Sequence, residues 1–109
     1  MHWIPLINSD QLDQINTLSQ QKAQIIFKHS TRCSISSMAL NRLEREDPPN
    51  SADFYLLDLI QYRTLSNEVA ERFSVHHESP QVLVIKKGDC VYDESHQGIT
   101  MAEIEAQLA

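Results

Sequence analysis

Apolar residues recur along the chain in short blocks separated by polar turns, and the spacing inside each block predicts an element. Asn8, Ser9 and Asp10 are helix-starting residue types, and Leu12, Ile15 and Leu18 then return every three residues, as on one buried helix face. Gln24-Ile25-Ile26-Phe27-Lys28-His29 is a compact apolar run that ends in polar residues and predicts a buried strand. Ser30 to Cys33 is a polar turn. From Ile35 to Glu46, the residues Ile35, Met38, Ala39 and Leu43 share a helical face. Pro48-Pro49 stops that helix, because proline pushes the residue before it out of the α region. Asp53 to Ile60 predicts a second strand, and Thr64 to Phe73 a helix with Leu65, Val69, Ala70 and Phe73 as its stripe. After the loop His76 to Pro80, Gln81 to Lys86 predicts a third strand. Lys87-Gly88-Asp89 is a hairpin turn into a fourth strand, Cys90 to Asp93. Thr100-Met101-Ala102-Glu103 is a capping box that opens a last helix with Ile104 and Leu108 inside.

Strand, helix and strand in succession imply parallel strands joined by a right-handed crossover; a hairpin and a closing helix follow. The fold class is therefore α/β. No linker, repeat or low-complexity tract interrupts the 109 residues, so residues 1–109 are expected to form a single domain.

Composition narrows the chemistry. The chain holds only two glycines, Gly88 and Gly98, so a Gly-rich phosphate-binding loop is excluded. Its two cysteines, Cys33 and Cys90, are too few for a disulfide scaffold or a four-cysteine zinc site. The net charge of −6 lies wholly in residues 51–109, where ten acidic residues face four basic ones; residues 1–50 balance at five of each. An acidic chain without a basic stripe argues against nucleic acid or an anionic membrane as partner. The start, Met1 to Ile7, has no basic region and is broken by Pro5, so it does not read as a signal peptide. No stretch approaches the ~18 apolar residues of a membrane span. A cytoplasmic location is the expectation, and there a cysteine is more often free or catalytic than structural.

Cys33 stands between a buried strand and the start of a helix. Helix N-termini carry unpaired N–H groups and the positive end of the dipole, and both favour thiolate over thiol. Arg32, turned inward, adds to this, and the polar flanks Thr31, Arg32, Ser34 and Ser36 speak against an inert apolar site. Cys33-Ser34-Ile35-Ser36 is a C-x-x-S pattern. A second cysteine at Ser36 would resolve a mixed disulfide within the protein; a serine cannot, although its hydroxyl can donate a hydrogen bond to the thiolate. Such a site stops at a mixed disulfide and needs an outside thiol for release. Ser79-Pro80-Gln81 places a proline directly before a buried strand. It reads either as an ordinary trans proline at a strand start or as a candidate cis peptide.

With this site added, the element order resembles a thioredoxin-like domain: a four-stranded mixed sheet flanked by helices on both faces. Phe27 to Ser36, reading Phe-Lys-His-Ser-Thr-Arg-Cys-Ser-Ile-Ser, is similar to the signature of the YtxJ-type monothiol bacilliredoxins, and His77-Glu78-Ser79-Pro80-Gln81 resembles the second signature of that family. The resemblance covers essentially the whole chain. It implies a cytoplasmic protein of the bacillithiol system, with Cys33 as nucleophile and Pro80 as a cis proline facing it. The backbone of Ser79 would pair with the substrate. No bound cofactor or metal is implied; bacillithiol enters as co-substrate, with bacillithiolated client proteins and a low-molecular-weight thiol as partners. One departure stands out: the family commonly has proline directly after the cysteine, where this chain has Ser34. Proline at a first helical position pre-organises the turn.

The other polar residues carry weaker expectations. Cys90 reads as a half-buried strand cysteine, unsuited by position to a bond with Cys33. His29 and His77 are candidates to tune Cys33 or to donate to substrate, and His76 joins them only in a disfavoured zinc reading. Lys28 and Arg32 read as solvated positions that could attract carboxylates of a small thiol, and Gln97 to Thr100 leads into a helix start that could hold one. Two other classes fit a single cysteine on this fold. One is a binding module holding an iron–sulfur cluster between subunits, and the other is a non-catalytic stress or adaptor domain.

Overall fold

The protein is described from a computed structural model, over residues 1–108. The elements follow as β1 (Ile4–Pro5), α1 (Asp10–Leu18), β2 (Ala23–His29), α2 (Ser34–Glu44), β3 (Ala52–Asp58), α3 (Arg63–Arg72), β4 (Gln81–Lys86), β5 (Asp89–Ser95) and α4 (Met101–Ala106). A short 3-10 turn, His96–Gly98, separates β5 from α4.

The sheet has five strands in the order β1-β3-β2-β4-β5, one more than the four expected. The added strand is the two-residue β1, which pairs parallel to β3 through Ile4 with Tyr55 and Pro5 with Leu56. Two residues carry no period, and the proline among them argues against a strand except at a sheet edge, where it lies here. β2 runs parallel to β3, whereas β4 is antiparallel to β2 and β5 antiparallel to β4. The sheet is therefore mixed, as expected.

Alternation along the strands divides the core between two faces. Ile26, Tyr55, Leu57, Leu83 and Ile85 pack with Leu12 and Ile15 of α1 and Leu65 and Val69 of α3. Ile25, Phe27, Phe54, Val82 and Val84 pack with Ala39 and Leu43 of α2 and Met101 and Ile104 of α4. Covered on both sides, β2 is buried from Gln24 to His29. Trp3 reaches from the edge onto this second face, 5.8 Å from Phe27 and 6.0 Å from Phe54 between ring centroids.

The topology brings the two sequence signatures to one edge of the sheet. β2 and β3 run parallel and end there, so the Ser30–Cys33 turn leaves β2 beside Asp58, the partner of His29 in β3. Antiparallel β4 begins at the same edge, with Gln81 opposite Lys28. The carboxyl ends of parallel strands are where α/β proteins commonly hold their sites.

Candidate active site

Cys33 is the N-cap of α2. Its backbone is extended (φ −112°, ψ 121°), its N–H donates to Ser30 O at 3.2 Å, and its carbonyl accepts the Ser37 N–H at 3.0 Å. The chain thus turns at Ser30 and enters the helix at Ser34, which leaves the thiol half-buried, unbridged and beside the unpaired N–H groups of the first turn. No acidic residue occupies that turn. Thr31, Arg32 and Ser34 are exposed around it. Among the described residues, Arg32 forms no ion pair.

Ser36, the fourth residue of the C-x-x-S pattern, is fully buried. Its Oγ accepts the Ser30 N–H at 2.9 Å and lies 2.7 Å from His29 Nδ1. The hydroxyl is therefore engaged with the end of β2, and the expected hydrogen bond from Ser36 to the Cys33 sulfur does not form. The reason is topological: the first turn of α2 packs its inner side against the strand it has just left. His29 in turn stacks on Phe27 with ring centroids 6.1 Å apart, and its carbonyl accepts the Leu59 N–H at 3.0 Å. Burial pushes the His29 pKa down, against smaller upward pulls from Asp58 and Glu44, so the imidazole is neutral at pH 7. His29 thus acts on Ser36, not on the thiol.

Across from this turn, the Ser79–Pro80 peptide is cis. The loop before it is held from three elements. Gln81 Nε2 donates to His76 O at 2.9 Å, the His96 N–H donates to Pro80 O at 3.0 Å, and Lys28 Nζ lies 3.2 Å from His77 Nδ1. Lys28 corrects the sequence expectation: far from being solvated, it is fully buried within β2, and burial drops its pKa to about 8. It cannot attract carboxylates from solution. His77 is also pushed below its ordinary pKa, first by burial and then by the charges of Lys28 and Arg63. The signal for this pair was present as a lysine inside an otherwise apolar run. Its partner, 49 residues further on, was not visible.

Cys90 has a different setting. It packs, half-buried, against the core on the α1 and α3 face, and its thiol donates to Tyr92 O at 3.3 Å. Burial pushes it up to about 11, so it stays a thiol at neutral pH. The expectation of a strand cysteine used for packing agrees with this. The N-terminus of α4 is closed by its own cap, with Thr100 Oγ1 accepting the Glu103 N–H at 3.2 Å. Among the described residues, no three His, Cys, Asp or Glu side chains gather as metal ligands would. No helix is long and apolar enough to cross a membrane. Two clefts of about 430 and 390 Å³ share Ile7, Gln61 and Tyr62 and do not include Cys33. In α2, which Cys33 opens, Ile35 and Met38 are apolar side chains left 43% and 62% exposed.

The fold that brings Cys33 at a helix start and the cis Ser79–Pro80 peptide to the same end of the sheet is similar to that of known structures. A proposed oxidoreductase with a thioredoxin fold is 32% identical, with 96% of this chain and 91% of that one covered at a TM-score of 0.77. The thioredoxin of Malassezia sympodialis is 18% identical over 99% and 94% of the two chains, at 0.72. Thioredoxin f from spinach chloroplast is 13% identical over 95% and 88%, at 0.69. The last two speak for the fold alone. The molecule is thus of the thioredoxin-fold oxidoreductase class, with one cysteine where a dithiol would have two. Residues 4–104 match the family model of the monothiol bacilliredoxin BrxC, and the chain belongs to that family.

Proposed function

We propose that this protein is a thiol–disulfide oxidoreductase that removes bacillithiol from protein mixed disulfides, with Cys33 as the nucleophile. The observation that carries this reading is the separation of roles at α2. Cys33 is an unpaired surface thiol at the N-cap, while Ser36, at the resolving position, is buried and bonded to His29 and Ser30. The chemistry then runs in two exchanges. The Cys33 thiolate attacks the bacillithiol sulfur of the client disulfide; that S–S bond breaks, a Cys33–bacillithiol disulfide forms, and the client sulfur leaves as thiolate and takes a proton. A second bacillithiol thiolate attacks the adduct, which gives bacillithiol disulfide and restores Cys33. Each step exchanges one S–S bond for another, so electrons balance without a further reductant.

The surroundings of Cys33 support these steps. Cys33 stands at the N-cap of α2, beside the unpaired N–H groups of the first turn and with no acidic residue in that turn. Thr31, Arg32 and Ser34 keep the approach polar, and Ser36 holds the turn to β2. Ser79 and Pro80 supply a backbone edge for the substrate. In this reading the protein works in the cytoplasm with bacillithiolated clients and free bacillithiol.

The test is mass spectrometry after exposure to bacillithiol disulfide or glutathione disulfide, followed by release assays on a bacillithiolated client. The expected results are an adduct on Cys33 that favours bacillithiol and client release that is lost in Cys33→Ser. Release at the wild-type rate by Cys33→Ser would refute the proposal.

A further inference from the structure

The two signature segments meet in a part-buried side-chain contact, Lys28 with His77, that thiol exchange at Cys33 does not itself require. Lys28 lies in the central strand β2, with no exposed surface, on the face that carries α3. Its Nζ meets one hydrogen-bond partner among the described residues, His77 Nδ1 at 3.2 Å. His77 belongs to the loop that ends in Ser79–Pro80. The directly opposed residue of β4, Gln81, reaches the same loop from the same foundation, through Nε2 to His76 O. A fully buried ammonium is rare unless it is paired with a carboxylate, and among the described residues none pairs with this one.

We propose that Lys28 is a positioning residue that acts through His77, bracing the Ser79–Pro80 edge against which a disulfide substrate docks beside Cys33. The proposal rests on the thiol-exchange reading above for its consequence, and on geometry for the brace itself. The donor must be the ammonium and the acceptor a neutral His77 Nδ1, with the proton of the ring on Nε2. The contact is therefore specific to one charge state. Protonating His77 would set two cations against each other, with Arg63 of α3 and His76 adding to the positive side and Glu78 opposing. Glu78 itself lies 3.6 Å from both His76 and His96, so the loop has one carboxylate shared among its histidines. Burial and the Lys28 charge both hold His77 below its ordinary pKa, which keeps the brace intact at neutral pH.

The experiment is a double-mutant cycle of Lys28→Met and His77→Leu with two readouts. The first is the His77 ring titration by NMR. In Lys28→Met its midpoint moves up toward 6.5, because one of the charges that depress it is gone. An unchanged midpoint overturns the brace, whatever the enzyme's substrate is. The second is the rate at which Cys33 exchanges with a thiolated protein, set against its alkylation by iodoacetamide, which needs no docking edge. Each single variant is expected to lose roughly tenfold to a hundredfold in exchange, with alkylation unchanged within a few-fold. The double variant should lose no more than either single one, and His77→Asn, which keeps an acceptor, should recover part of the rate. Losses that multiply in the double variant, or a wild-type exchange rate in Lys28→Met, overturn the positioning role. If the wild type itself exchanges with no thiolated protein, the functional reading fails, and the NMR titration still decides the brace.

Discussion

Replacing Lys28 with methionine is expected to stabilise the protein at neutral pH, although the residue is completely buried. Methionine nearly matches the lysine in length and removes the charge. The buried ammonium titrates at about 8 in place of 10.5. At 1.36 kcal/mol per unit, holding it charged costs about 3 kcal/mol at pH 7. Against this, the substitution gives up the hydrogen bond to His77, worth about 1–2 kcal/mol. The half-exposed ring finds water instead. The net gain is about 1–2 kcal/mol. The sign of the pH dependence is diagnostic. The folded-state pKa of Lys28 is depressed, so between about 8 and 10.5 the unfolded chain binds more protons than the native one. The wild type therefore recovers stability as pH rises through that window, by about 1.4 kcal/mol per unit at most. The advantage of Lys28→Met is full below pH 8 and shrinks above it. Cys90, which titrates at about 11, destabilises both proteins alike at higher pH and cancels in the difference. Urea unfolding of both proteins at pH 7 and pH 9 measures it. A Lys28→Met protein that is less stable at pH 7, with a deficit independent of pH, would refute the argument.

Other outcomes follow from the same contacts. In Cys33→Ser only Cys90 remains, and a thiol held up to about 11 is roughly 0.03% thiolate at pH 7.5. Its alkylation by iodoacetamide, followed by intact mass, should run roughly 300-fold slower than that of an ordinary free thiol of pKa ~8.5. Ser36→Ala leaves the Ser30 N–H and His29 Nδ1 without their shared partner. At about 1–2 kcal/mol each, denaturant unfolding should show a loss of about 2–4 kcal/mol. Ser34→Pro places proline at the first residue of α2, where a helix leaves the N–H unpaired, and Cys33 before it is already extended, as a residue preceding proline prefers. Thermal unfolding should show a gain of about 0.4–1 kcal/mol, carried by the stiffer unfolded chain.

Much of this site was legible before the fold was known. Cys33 could be placed at a helix start because an apolar run, a polar turn and a helical stripe follow one another there, and each is a local pattern. Pro80 could be placed at a strand start for the same reason. The thin strand β1 escaped because two residues show no alternation, and its pairing with Tyr55 and Leu56 lies 51 residues away.

Local periodicity and residue chemistry thus determined the elements, their order, the α/β class, and which cysteine stands at a helix start. Only the tertiary structure decided where the polar side chains point. It turned Ser36 toward His29 and away from the sulfur, because α2 folds back onto β2. It buried Lys28 against His77, because β2 lies in the middle of the sheet with β4 beside it and helices on both faces. Spacing along a chain sets the face a residue occupies, but the partner on that face comes from another strand or loop, and only packing brings the two together.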